Sequence, residues 1–282
     1  MIASAPSMPS HGAILLCGGR SSRMGRAKAW LPWRGRPLAA EVASVLAQVV
    51  DEIVVVTSEA LDPPPLSAPV RVVRDERPDQ GPLAGLAAGL AQLEADIAFA
   101  IGTDVPFLTP AFARAVLAAA SADRAAAPVV DGFVQPLGAA YPKRGAARAR
   151  ELLAHGRRRP LDLLDALDFR PLAAEELPDL VSLRGLDTPA EYLAAVAEDG
   201  QAARAALELV GRARALAGCG GLEVPIGTLA QVLAHAPGGL AICRGGQVAP
   251  GFRVSLAGCG CVRDARIPVG PGERVIVEDA DA

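Results

Sequence analysis

AILLCGGRSSRMGRAK, residues Ala13 to Lys28, is the stretch on which the fold turns. The apolar run Ile14-Leu15-Leu16 opens into the paired glycines Gly18 and Gly19, then into a loop carrying Arg20, Arg23 and Lys28. Glycines without side chains let backbone N–H groups close on an anion, and the surrounding cations neutralise it. A strand that delivers such a loop is a phosphate-binding device. The spacing is not G-x-x-x-x-G-K-[ST], because Ala29 follows Lys28, and not G-x-G-x-x-G, because the glycines are adjacent.

Beyond the loop, short β-rich runs alternate with amphipathic helical segments as far as Val196. Expected strands are Ala13–Leu16, Glu52–Thr57, Val70–Val73, Ile97–Ile101, Ala126–Val130 and Gln135–Tyr141. Expected helices are Leu38–Val50, Leu83–Leu93, Pro110–Ala120, Ala146–Ala154, Pro160–Leu167 and one starting at Pro189. The unbroken IVVV of residues 53–56 suits a strand buried on both faces of a parallel sheet. This alternation predicts a Rossmann-like, doubly wound α/β domain over residues 13–198, with ligands beyond the carboxyl ends of its strands. Residues 1–12, rich in Pro, Ser and Ala, read as a disordered tail, and 199–204 as a linker. Residues 205–282 read as a small second domain: strands at Ala206–Val210 and Leu222–Pro225, a turn at Cys219–Gly221 and a helix at Thr228–Ala236. Gly-punctuated strands then run to Arg274–Glu278, so that one helix lies on a small mixed sheet, as in a β-grasp (ubiquitin-like) fold.

A chain of 282 residues has room for about two domains. Its net charge of −3 argues against general nucleic-acid binding, and aromatics at 4% leave few platforms for stacking bases. Five cysteines without a C-x-x-C pair suit free thiols in a reducing compartment. The opening MIASAPSMPSH lacks the basic start and apolar core of a secretory signal, and no apolar run reaches the roughly 20 residues that span a bilayer. The expectation is a soluble, cytoplasmic protein.

Nucleotidyl transfer needs an anchored triphosphate, a divalent cation and a positioned nucleophile. Asp104 ends an apolar strand in IGTDVPFL, and a lone strand-end carboxylate suits Mg²⁺, which takes one or two carboxylates with phosphate oxygens and water. A turn or cap role is the alternative, and the glycine loop beside it favours the metal. Asp75 follows the strand VRVV, and Gly81 starts a helix whose N-terminus would face a base or ribose; a solvated turn is the alternative for Asp75. Asp187 and Thr188 precede Pro189 at a helix start, so Asp187 is either the cap or a second metal carboxylate.

Four segments in order, LLCGGRSSRMGRAK, RDERPDQGPLAGLAAGL, TDVPFL and QPLGAAYP, resemble the molybdenum cofactor guanylyltransferase family. The likeness runs from Ala13 to about Val196. It implies a magnesium-dependent enzyme that moves GMP from GTP to the terminal phosphate of molybdopterin and releases pyrophosphate. By position, Leu16, Cys17, Gly18 and Gly19 would line the nucleotide, Lys28 would hold the phosphates with Arg23 beside it, and Asp75 and Gly81 would serve the guanosine. Asp104 would bind both magnesium and GTP, and the catalytic candidates are Lys28, Asp104 and Arg23. Cys17 stands where the family has Ala, and Thr57 where it often has Asn. The family's N-x-N-T-P is here Gly185-Leu186-Asp187-Thr188-Pro189, which leaves Asp187 as the group able to serve a cation. Arg157, Arg158 and Arg159 form either a cradle for the pterin phosphate or a solvated turn.

The stretch LELVGRARALAGCGGLEVPIGTLAQVLA and the close PVGPGERVIVEDADA are similar to the small β-grasp subunit of molybdopterin synthase. That family carries sulfur on a terminal Gly-Gly, whereas this sequence closes on Asp281-Ala282, so the module is expected to be a docking surface for a protein of the same pathway. Two rival readings are a cytidylyltransferase acting on the same cofactor and a non-catalytic nucleotide-binding scaffold.

Overall fold

Strand β1 (His11–Leu16) is buried along nearly its whole length, and the other strands are arranged around it. The computed structural model of the chain describes residues 9–18, 21–59, 61–66, 68–75, 81–238, 241–256 and 259–280. The expected tail through residue 8, the candidate Gly19 and the closing residues 281–282 lie outside these. His11 and Gly12, expected in the tail, belong to β1, and Ser10 is tied to the Asp96 carboxylate through its N–H (2.9 Å) and hydroxyl (2.8 Å). The chain divides into two compact units, residues 1–19 with 42–185, and residues 20–41 with 186–282.

In the first unit, β2 (Glu52–Ser58), β3 (Arg71–Asp75), β4 (Ile97–Gly102), β5 (Ala126–Val130), β6 (Ala139–Pro142) and β7 (Arg170–Leu172) join β1 in the order β7-β5-β6-β4-β1-β2-β3. A two-residue strand, Phe133–Val134, pairs with β5. The pairs β1–β2, β1–β4, β2–β3 and β5–β7 are parallel, whereas β6 runs antiparallel to both β4 and β5. The sheet is therefore mixed, and the strand expected over Gln135–Tyr141 is shortened to Ala139–Pro142. The reason lies in the connection: β6 starts nine residues after β5 ends, and a parallel crossover needs a dozen or more.

Helices cover both faces. On one, α2 (Pro82–Gln92), α4 (Gly145–Ala154) and α5 (Pro160–Leu167) bury Leu83, Leu86, Leu90, Ala149, Leu163 and Leu164 against Ile14, Val54 and Ala98. The close approach of α2 is set by a glycine stripe: a Cβ on Gly89 would sit 2.6 Å from Ile14 Cγ2, and one on Gly85 would sit 3.2 Å from Leu16 Cδ2. On the other face, α3 (Pro110–Ala119) places Phe112 edge-on to Phe99, with ring centroids 6.3 Å apart. Such a pair adds about 0.5–1.5 kcal/mol beyond area burial. Thr109 caps α3 by accepting from Phe112 N–H, with Pro110 in the first turn. Helix α1 (Leu38–Leu46) is shared between the two units and ends four residues before the expected Val50.

The second unit holds the hairpin Pro32–Trp33/Arg36–Pro37 and α6 (Pro189–Glu198), followed by a five-stranded sheet. Strands β8 (Arg204–Leu209), β9 (Gly221–Pro225), β10 (Phe252–Leu256), β11 (Gly260–Val262) and β12 (Arg274–Asp279) lie in the order β9-β8-β12-β10-β11. First and last strands, β8 and β12, are central and parallel; the remaining pairs are antiparallel. A two-turn helix, α7 (Gly211–Ala217), not expected from the sequence, fills the stretch between β8 and the turn near Cys219. Helix α8 (Leu229–Leu233), shorter than expected, adds Leu229, Val232 and Leu233 to a core with Leu207, Val254, Val275 and Val277.

Candidate active site

The register of β1 on β4 pairs Leu16 with Gly102, so Gly18 and Asp104 each lie two residues beyond paired strand ends. This is also where the sheet order reverses direction, with β2 on one side of β1 and β4 on the other, the usual place for a ligand crevice in such sheets. Cys17 extends the pairing by donating to the Val56 carbonyl at 2.8 Å, and it is buried at 4% exposure. Burial pushes its thiol up to about 12, so it lines the loop as an inert apolar group. Gly18 is exposed, and among the described residues a Cβ there would meet no atom within 4 Å. The Asp104 carboxylate folds back over the end of β4: a Cβ on Gly102 would be 2.7 Å from its Oδ1, which accounts for glycine in IGTD.

The remaining candidates of the first unit are spread along the same carboxyl edge. Asp75 ends β3, half-buried and opposite Ser58, and the loop 76–80 after it lies outside the described residues. Thr57 is buried, and its hydroxyl donates to the Leu61 carbonyl at 2.7 Å, so this donor serves its own loop. Gly81 has φ of +78°, and a Cβ would stand 2.8 Å from the Arg158 carbonyl, which also accepts from Leu83 N–H at 3.3 Å. Helix α2 thus begins tightly against the arginine run. Within that run, Arg157 and Arg159 both reach Asp162 in the first turn of α5, at 3.5 and 3.3 Å.

In the second unit the structure joins Arg23, Lys28 and Asp187. Asp187 Oδ1 is 2.7 Å from Lys28 Nζ, and Oδ2 is 3.0 Å from Arg23 Nη2. The Lys28 hydrogen bond, and after it the charges of Lys28 and Arg23, hold the Asp187 carboxyl below the usual carboxylate range. The cap of α6 is Thr188: its hydroxyl accepts from Glu191 N–H at 3.2 Å, while Glu191 Oε2 accepts from Thr188 and Asp187 N–H at 2.9 and 2.7 Å. Thr188 and Glu191 together satisfy the helix start, so the Asp187 side chain points to the cations instead.

A residue that sequence reasoning passed over lies between Arg23 and Lys28. Arg26 is buried, with its Nη1 and Nη2 each 2.8 Å from a Glu273 oxygen and Nη1 3.1 Å from the Pro268 carbonyl. Burial alone would lower its pKa, but the charge and hydrogen bond of Glu273 outweigh this and hold it above the ordinary value. Removing one partner of so buried a pair costs about 3–5 kcal/mol. The sequence signal was a lone Glu in the Gly/Pro/Val-rich stretch 268–277.

Among the described residues, no group of three His, Cys, Asp or Glu is arranged to hold a metal alone, and no helix is long and apolar enough to cross a membrane.

An α/β mixed sheet with a basic glycine loop after its first strand is compatible with a nucleotidyltransferase, and the family sets the class. Residues 13–168 match the model of the MobA-like NTP transferase domain, and the chain belongs to that family. A Bacillus cereus protein named "Probable molybdenum cofactor guanylyltransferase" is 30% identical over 174 residues, covering 60% of this chain and 87% of that one. One of the same name from Natronomonas pharaonis is 32% identical over 198 residues, covering 64% and 95%. The crystal structure of molybdopterin-guanine dinucleotide biosynthesis protein A from Archaeoglobus fulgidus superposes with a TM-score of 0.54 at 21% identity, covering 67% of this chain and 98% of that chain. A Thermus thermophilus 2-C-methyl-D-erythritol 4-phosphate cytidylyltransferase gives 0.52 at 18%, covering 66% and 97%. These two likenesses establish the fold alone.

Proposed function

We propose that the chain is a molybdenum cofactor guanylyltransferase, moving GMP from GTP to the terminal phosphate of molybdopterin. The observation that carries the reaction type is the register placing Gly18 and Asp104 beyond neighbouring strand ends. The choice of guanine and of molybdopterin rests on the names of the relatives that match over 87% and 95% of their lengths.

A phosphate oxygen of molybdopterin attacks the α-phosphorus of GTP, the bond from that phosphorus to the bridging oxygen breaks, and pyrophosphate leaves with the electron pair. The part of this chain is positioning and charge. Backbone N–H groups around Gly18 and Gly19 cradle the triphosphate, with Leu16 and Cys17 as the apolar floor. Lys28 and Arg23 offset the charge that grows on the leaving pyrophosphate. Asp75, Gly81 and the start of α2 serve the guanosine; Thr57 contributes through its hydroxyl oxygen, since its donor is engaged.

A single carboxylate at a strand end, as at Asp104, fits Mg²⁺, which binds phosphate oxygens and water together with one or two carboxylates. Asp104 in the first unit and Asp187 in the second are each a candidate carboxylate for it. When bound it would polarise the α-phosphate and neutralise developing charge.

Residues 13–198 are the transferase domain and 205–282 an attached module, joined by 199–204. The order β9-β8-β12-β10-β11, with parallel first and last strands at its centre and α8 against it, supports a β-grasp reading of the module. It serves as a docking surface for a protein of the same pathway. The enzyme acts in the cytoplasm.

Pyrophosphate release from each nucleoside triphosphate, with and without molybdopterin and with and without Mg²⁺, tests the proposal. Release dependent on GTP, molybdopterin and Mg²⁺ is expected. A higher kcat/KM with CTP would make the chain a cytidylyltransferase, and no release from any nucleotide would leave a binding scaffold. Asp75→Ala should narrow the GTP/CTP ratio, because a site built for a hydrogen-bonding edge rejects ligands lacking it.

A further inference from the structure

Two regions 226 or more residues apart in sequence meet in the second unit, and the point of contact is the loop that carries Arg23 and Lys28. Four separate features converge there. Glu273 clamps Arg26 through both oxygens at 2.8 Å, and the same carboxylate accepts from Gly270 N–H at 2.8 Å, so its direction is fixed from behind. Arg26 also donates to the Pro268 carbonyl at 3.1 Å. Gly25, with φ of +75°, lies so close to Ile267 that a Cβ would be 2.7 Å from its Cγ2. Beyond the loop, Tyr192 donates to the Pro32 carbonyl at 2.7 Å, and a Cβ on Gly270 would overlap that tyrosine's hydroxyl.

Each contact restrains backbone within three residues of Arg23 or Lys28, or the hairpin just after them. Side chains of Arg26 and Glu273 are 1% and 5% exposed, whereas Arg23 is 69% exposed. Arg26 is therefore turned away from solvent and from any entering phosphate, unlike the cation three residues before it. Burying a guanidinium is costly unless it is paired, and both terminal nitrogens of this one meet a planar two-oxygen fork. Such an arrangement defines one loop position rather than an ensemble.

We propose that segment 267–273 of the C-terminal module is a brace for the cation loop, with Arg26 and Glu273 as positioning residues that hold Arg23 and Lys28 ready for the triphosphate. The idea rests on the transferase reading for its ligand, but the brace itself is measurable without nucleotide. The C-terminal module then has a task inside the enzyme, separate from any docking partner.

The test uses the full chain and three variants. Glu273→Gln keeps shape and removes the charge; Glu273→Asp, which keeps the charge but shortens the reach, replaces it if it does not fold. Arg26→Met removes the cation. The double variant Arg26→Met/Glu273→Leu removes both charges and refills the volume, a change that buried ion pairs often tolerate. Amide hydrogen exchange over residues 21–31 without nucleotide reads the brace, and GTP titration reads its consequence. Expected are at least tenfold faster exchange in that segment for each single variant, GTP binding weakened about tenfold, and recovery of both to within about threefold in the double variant. Unchanged exchange in both single variants overturns the brace. Faster exchange with unchanged GTP affinity overturns the positioning role. A double variant that regains slow exchange but stays as weak as Arg26→Met overturns it as well, because Arg26 would then be touching phosphate. Wild-type protein that binds no GTP, with exchange still responding as expected, overturns the transferase reading and keeps the brace.

Discussion

Replacing Asp187 by Asn should tighten the binding of metal-free GTP. The carboxylate lies 2.7 Å from Lys28 and 3.0 Å from Arg23, the two cations assigned to the phosphates, so an arriving triphosphate has to take its place. Unscreened at an effective dielectric of 20, one such contact would be worth about 6 kcal/mol. Asp187 is 43% exposed, however, and solvent reduces a pair of this kind to about 1 kcal/mol. Removing that competition corresponds to about fivefold in Kd. Asn keeps the side-chain shape, and Thr188 with Glu191 still caps α6, so the fold is retained. Calorimetric titration of GTP in EDTA at low salt reads the effect, and raising the salt should shrink it. The pH dependence has a defined sign. The Asp187 carboxyl is held below its ordinary value of about 3.9, so its stabilisation is complete above that value and lost as pH falls through the lower, folded one. The melting-temperature gap between wild type and Asp187→Asn should accordingly close below about pH 4. Equal or weaker GTP binding by the variant in EDTA would refute the competition argument.

Asp104→Asn should abolish turnover while leaving the melting temperature near that of the wild type, since a half-exposed carboxylate at a strand end does little for stability; near-normal turnover at saturating Mg²⁺ would remove Asp104 from the reaction. Gly89→Ala should lower stability by about 1 kcal/mol net, the overpacking against Ile14 outweighing the gain in helix propensity, as denaturant midpoints will show. A more stable Gly89→Ala protein would mean that α2 is free to move off β1. Alkylation at pH 8 followed by peptide mass analysis should label exposed Cys261 early and Cys17 only after unfolding. Comparable rates for the two would contradict the burial of the Cys17 thiol.

Much of the first unit was legible because its signals are local. The helix Pro160–Leu167 and the strand Ala126–Val130 have the bounds read from the sequence, each marked by a proline or an unbroken apolar run. The strand expected over Gln135–Tyr141 starts only at Ala139, with a separate short strand at Phe133–Val134, and its antiparallel direction is set by the length of the connection, which an apolar pattern does not encode. Helix α7 escaped for a different reason: it makes two turns and buries only Ala213, too little for a periodic signal. At the site, the glycine loop and Asp104 stood out as residue types at strand ends, while the partners of Asp187 did not. A cap and an ion-pair acceptor look alike at a helix start, and only coordinates separate Thr188 in the first role from Asp187 in the second. Arg26 was hidden more deeply, since its partner is 247 positions away and no local rule links them.

That separation also bears on how the polypeptide matures during translation. Arg26 leaves the ribosome early, and Glu273 is added 247 residues later, about 12–50 s at usual elongation rates. For that interval a guanidinium destined for a dry interior stays in water, without its carboxylate partner. The sheet of the first unit can close in the meantime from strands already made. Arg23, Lys28 and Pro32 can meet Asp187 and Tyr192 once those are made, but Gly25 and Arg26 must wait for Ile267, Pro268 and Glu273. Ribosome-stalled chains ending before residue 267 should therefore expose residues 21–31 to protease, making those residues a reporter of whether synthesis has finished.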